Sequence, residues 1–201
     1  MASVILASAS PRRAELLDQI GVDYSVQPAD VDETPIEGEC PEDYVTRLAL
    51  GKAQAVAVDS PEHALVLGSD TSVVIDGEIL GKPENHEAAA AMLQRLSGRA
   101  HQVMTAVALV HRGQSKAVLV VTDVEFRTLS ASEIEAYIAS GEPMDKAGSY
   151  GIQGLGGIFV REIRGSYSAV VGLPLQETAA LMDAAGFPVW ESWPRRLENQ
   201  A

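Results

Sequence analysis

The sequence predicts a mixed α/β fold, a β-sheet with helices on its faces rather than a purely parallel one. Three observations predict it. Short apolar strand patterns alternate with amphipathic helix patterns early in the chain. Hairpin signals, Asp76-Gly77 and Arg112-Gly113, then take over. The composition, 46% hydrophobic and 21% charged over 201 residues, is that of a globular protein long enough to bury a real core.

Val4–Ala7 is a short apolar run, and Ala14–Ile20 an amphipathic one that Gly21 stops. Between them lies Ser8-Ala9-Ser10-Pro11-Arg12-Arg13. Ser10 stands at an N-cap position and Pro11 at the first helical position. The segment therefore reads as strand, tight loop and helix start, with two hydroxyls and two guanidiniums gathered at the free N–H groups of the helix. That is chemistry suited to an anion, most simply a phosphate. A cation in a first turn opposes the helix dipole by roughly 0.3–1 kcal/mol, so an arginine pair there calls for a compensating anion.

Tyr24–Gln27 reads as a short strand, and Pro28–Gly38 as an acidic loop that contains Glu33. Pro41 opens a helix to about Val58, with Val45, Leu48, Ala49, Ala53 and Val56 on one face. Lys52 falls inside that apolar stripe. It is either a snorkelling lysine at the stripe's edge or a cation aimed inward at a ligand. Ala64–Leu67 is a buried-strand pattern ending in Gly68-Ser69-Asp70-Thr71, which puts Asp70 at a strand end, as a turn cap or a reactive group. Ser72–Ile75 and Glu78–Leu80 pair across Asp76-Gly77.

His86–Leu96 is the next helix, closed by Gly98. Val103–Val110 and Ala117–Arg127 are long strands. Ser130–Glu133 is a capping box for a helix ending near Ser140-Gly141. Asp145–Gly157 holds five glycines and suits close backbone approach to a ligand. Ile158–Ile163 and Tyr167–Val171 read as a hairpin across Arg164-Gly165, and Pro174 opens a last helix to about Gly186. Trp190 and Trp193, in the tail, read as packing or subunit-contact residues, which leaves a homodimer open.

Several function classes are excluded. The net charge of −13 disfavours polymeric nucleic acid, which wants a basic face. No apolar run approaches membrane-spanning length. The opening residues lack the pattern of a secretory leader, and Cys40 is the single cysteine, so a reducing cytoplasm is the expected setting. Gly77–Pro83 resembles a phosphate-binding loop but is one residue short and ends in Pro83. No dinucleotide fingerprint, zinc-protease motif or serine-hydrolase elbow is present, and His63, His86, His101 and His111 show no metal-ligand spacing. What remains is a set of cations, Arg12, Arg13, Lys52, Lys82 and Lys146, with two acids, Glu33 and Asp70. Together they suit a triphosphate and a divalent ion.

In this order, the Ser8–Arg13 segment, Gly68-Ser69-Asp70-Thr71, Gly81-Lys82-Pro83, Leu96-Ser97-Gly98, Asp145–Gly154 and Gly172-Leu173-Pro174-Leu175 resemble the Maf family of nucleoside triphosphate pyrophosphatases. The resemblance runs from about Val4 to Leu181. It implies an elongated, inosine-triphosphatase-like sheet fold with two lobes around a central cleft, acting as one domain over residues 1–201. Residues 187–201 lie outside the shared pattern. It further implies cleavage between the α and β phosphates with Mg or Mn as cofactor. Asp70 would be the proton acceptor, Ser8, Arg13, Lys52 and Lys82 would hold phosphate, and Glu33 with Asp70 would hold the metal. Arg12, Thr71 and Gln153 agree with the branch similar to dTTP/UTP pyrophosphatases rather than the one preferring 7-methylguanosine triphosphate. Gln153 has a physical rationale, because its amide both donates and accepts and so matches a pyrimidine carbonyl and ring N–H. The resemblance leaves two alternatives: a sister pyrophosphatase with another base preference, such as 7-methylguanosine triphosphate, and a nucleotide-binding regulator of septum formation.

Overall fold

A computed structural model describes residues 3–193. Among these, seven strands form one sheet: β1 (Val4–Leu6), β2 (Tyr24–Val26), β3 (Leu65–Ile75), β4 (Glu78–Leu80), β5 (Ala100–His111), β6 (Gln114–Phe126) and β7 (Val160–Arg164). Their order is β2-β1-β3-β5-β6-β7, with β4 paired to β3. β1 runs parallel to both β2 and β3, whereas β4 is antiparallel to β3 and β7 to β6. The sheet is mixed, as the early alternation and later hairpins require. The helices are α1 (Pro11–Gln19), α2 (Pro41–Ala57), α3 (His86–Leu96), α4 (Ala131–Ala139), α5 (Tyr167–Val171) and α6 (Leu175–Ala184).

The chain divides into two compact units. Among the described residues, the first comprises 3–70, 105–119 and 172–193, and the second 71–104 and 120–171. In the first, β1 and the opening of β3 are buried throughout, and α2 buries the stripe Val45, Leu48, Ala49, Ala53 and Val56. In the second, Leu93 and Leu96 of α3 and Ile134 and Tyr137 of α4 pack with Val73, Val103, Phe126, Tyr150 and Phe159.

Two local expectations are corrected, and a third is refined. Asp70 is not at a strand end: β3 continues unbroken to Ile75. The polar interruption is tolerated because the buried Ser69 hydroxyl lies 2.9 Å from the carbonyls of both Ala106 and Gly172. Residues 167–171 form helix α5 instead of a strand. Ser166 caps it, its Oγ accepting from Ala169 N and its carbonyl from Val170 N. That local capping outweighs the β-preference of Val170 and Val171. The partner of β7 is β6, through Asp123–Phe126. Finally, Ser10 occupies the N-cap of α1 in extended geometry but makes no side-chain cap bond; its own N–H donates to Ser8 Oγ at 3.2 Å.

The Ser130–Glu133 capping box forms as expected. Asp76 and Gly77, like Arg112 and Gly113, adopt the left-handed backbone of tight hairpin turns.

Candidate active site

The first unit gathers Ser8, Arg13, Glu33, Lys52 and Asp70. Its geometry begins at Gly68. A Cβ there would stand 2.3 Å from the Ala49 carbonyl oxygen and 2.7 Å from Ala53 N, so α2 lies directly on the backbone of β3. Lys52 is on that stretch of α2, and its side chain reaches Asp70 two residues beyond Gly68. The ammonium sits 2.7 Å from Asp70 Oδ1 and 2.6 Å from Glu33 Oε1. Lys52 therefore does not snorkel outward: its ammonium is turned onto two carboxylates.

Asp70 is buried at 8% exposure. Burial pushes its carboxyl above the ordinary carboxylate range, against the opposing pull of the Lys52 and Arg13 charges, while Glu33 adds to the rise. Arg13 is held by its surroundings: Nε donates to the Gly172 carbonyl at 2.8 Å and a terminal nitrogen to Ser8 Oγ at 3.0 Å. Burial lowers the Arg13 pKa, the Asp70 charge acts to raise it, and Arg12 beside it lowers it again. The Gly172 carbonyl thus links the loop before α6 to both Arg13 and Ser69.

The loop that carries Glu33 is fastened by residues that sequence reasoning missed. Tyr44 Oη donates to the Glu33 carbonyl at 2.9 Å. Arg47 grips the Glu39 carboxylate with two nitrogens, at 2.6 and 2.7 Å, and donates to the Thr34 carbonyl at 3.2 Å. Their three-residue spacing on α2, each directly before a buried residue, Val45 and Leu48, is the sequence signal they carry.

Other expected residues belong to the second unit. Thr71 follows Asp70 along β3 and is half-buried. Lys82 is exposed after β4, and Gln153 is exposed in the glycine-rich loop. Lys146 is engaged locally, donating to the Glu142 carbonyl and to Asp145 Oδ1, both at 2.6 Å. Among the described residues no group of three His, Cys, Asp or Glu converges to hold a metal unaided. Glu33 and Asp70, however, both reach a single ammonium, so their carboxylates approach one point.

This arrangement defines a class: a mixed α/β protein whose first unit holds a buried carboxylate among an ammonium, a guanidinium and a hydroxyl. Residues 3–185 match the Maf-like protein family, and the chain belongs to that family. It is 59% identical to the dTTP/UTP pyrophosphatase of Pseudoalteromonas atlantica, over 89% of this chain and 95% of that one. With the dTTP/UTP pyrophosphatase of Colwellia psychrerythraea it shares 57% identity, over 92% and 89%. A looser likeness, TM-score 0.44 and 20% identity over 62% of this chain and 71% of that one, is to the Staphylococcus aureus Ham1 protein.

Proposed function

We propose that the protein hydrolyses dTTP and UTP to the nucleoside monophosphate and pyrophosphate, working as one domain in the cytoplasm to clear unwanted nucleotides. The observation that carries this reading is Asp70, a buried carboxylate of raised proton affinity held at 2.7 Å by Lys52. Its relatives' names supply the substrate class.

Asp70 takes a proton from the attacking water, whose oxygen bonds to the α phosphorus. The bond from that phosphorus to the bridging oxygen breaks, and pyrophosphate leaves. A proton acceptor with a raised pKa is a stronger base than an ordinary aspartate, provided the pH keeps it ionised. Ser8, Arg13, Lys52 and Lys82 hold the phosphates and neutralise charge that develops on them. Arg12, Thr71 and Gln153 select the base. Two converging carboxylates fit Mg or Mn, which takes one or two such ligands and completes its shell with substrate phosphate oxygens and water. Glu33 and Asp70 would hold it, and when bound it would supply further neutralisation of phosphate charge.

The test is pyrophosphate release from a nucleotide panel with magnesium or manganese. Release from dTTP and UTP is expected, and Asp70→Asn should abolish it in a folded protein. Tight binding with negligible turnover would instead favour a nucleotide-sensing role in septum formation. Preference for 7-methylguanosine triphosphate would place the protein on the sister branch.

A further inference from the structure

The glycine-rich loop of the second unit is built around one carboxylate. Glu142 accepts from the backbone N–H of Leu155 at 2.8 Å and of Gly156 at 3.1 Å, and from the Tyr137 hydroxyl at 2.8 Å. Tyr137 Oη in turn accepts from Gly151 N at 3.1 Å. The segment Ile152-Gln153-Gly154 is therefore fastened on both sides, at Gly151 through Tyr137 and at Leu155 and Gly156 directly. Its glycines are there for the carboxylate: a Cβ on Gly154 would lie 2.4 Å from Glu142 Oε2, and one on Gly156 2.7 Å from Tyr137 Oη. Gln153, exposed, stands at the middle of the fastened segment. The donors around Glu142 hold its carboxyl below the ordinary range even though burial alone would raise it. An ionised carboxylate is acceptor-only, which is what three converging donors require.

We infer that Glu142 is a positioning residue for base selection: with Tyr137 it fixes the loop that presents the Gln153 amide. This rests on the reading of Gln153 given above. A side-chain amide discriminates between bases only if its donor and acceptor are held in one orientation, because a mobile loop lets the amide rearrange to suit a wrong base.

The experiment compares Glu142→Gln, Tyr137→Phe and Gln153→Ala. The glutamine is nearly isosteric but turns an NH2 toward the backbone donors, leaving at least one unpaired. Expected for Glu142→Gln is a rise of about tenfold in KM for UTP, a smaller change in kcat, and a loss of UTP preference over GTP matching that of Gln153→Ala. A protein carrying both Glu142→Gln and Gln153→Ala should lose no more preference than either single variant. Hydrogen exchange of the free protein should quicken at the Leu155 and Gly156 amides. Tyr137→Phe, which keeps the ring, should show the same pattern more weakly and keeps the question open to test if Glu142→Gln fails to fold.

Unchanged substrate ranking in Glu142→Gln and Tyr137→Phe, with Gln153→Ala altered, overturns the proposal alone. An unaltered ranking in Gln153→Ala also overturns it while hydrolysis stands. A wild-type protein that releases no pyrophosphate overturns both this inference and the proposed reaction.

Discussion

At the scale of single residues, the site turns on how Lys52 divides its charge. One ammonium contacts Asp70 and Glu33 at 2.7 and 2.6 Å. Its charge is the strongest influence opposing the burial that raises the Asp70 carboxyl. Lys52→Met should therefore do two things. In the proposed reaction Lys52 neutralises phosphate charge, so its removal should lower kcat by about 10²–10³-fold. Removing the charge that favours ionised Asp70 should move the acid limb of the pH–rate profile toward higher pH. The two effects separate by measuring kcat/KM from pH 5 to 9 (about the accessible range). A lowered plateau with an unmoved acid limb would show that Asp70 is not the group titrating there. The inward aim of Lys52 could not be read from the sequence. A lysine within an apolar stripe has the same pattern whether it snorkels or meets a buried acid, and only the close approach of α2 to β3 decides.

Elements impose their own constraint, and Gly68 shows it. The atoms that a Cβ would strike, Ala49 O and Ala53 N at 2.3 and 2.7 Å, are backbone, so Gly68→Ala must push α2 away from β3. The expected cost is about 1–3 kcal/mol of stability, read from denaturant midpoints. Because Lys52 rides on the displaced turn, kcat should fall as well, although Gly68 touches no substrate. Full activity in a Gly68→Ala protein would show that α2 can shift without moving its lysine. Most elements were legible because their signals were local: apolar periodicity for α2 and α3, Asp76-Gly77 and Arg112-Gly113 for the tight turns, and Ser130 with Glu133 for the start of α4. The errors came where a local signal competed with another. In α5 the β-branched Val170 and Val171 suggested a strand, but Ser166 nucleated a helical turn. In β3 the Gly-Ser-Asp triplet looked like a strand's end, but Ser69 found two carbonyl partners supplied by residues far away in sequence. The Glu142 clamp was hidden for the same reason, since glycine density announces close approach without naming what approaches.

For the whole molecule, the net charge of −13 makes acidification the informative perturbation, and two buried groups give it opposite signs. His101, in the second unit, is 3% exposed, pairs through Nε2 with Tyr150 Oη at 2.9 Å, and packs edge-on to Phe126. Burial lowers its pKa from 6.5 to about 4. Folding therefore holds it neutral, a contribution fully present above pH 6.5 and lost progressively as pH falls toward 4, about 3 kcal/mol in all. Asp70, in the first unit, has a raised pKa, so its ionisation weighs against the fold at neutrality and that burden is relieved as pH falls through its folded value. Glu133, held at about 2 by Arg127 and by Ser130, begins to lose its contribution only below its ordinary 4.5, at the foot of this window. Unfolding midpoints measured from pH 7 to 4 should decline in the wild-type protein. His101→Phe should flatten that decline by removing its main cause, and Asp70→Asn should steepen it, starting from a higher midpoint at pH 7 because the buried charge is gone. A His101→Phe curve parallel to wild type would mean that His101 is protonated within the fold, and that its packing against Phe126 and Tyr150 tolerates charge.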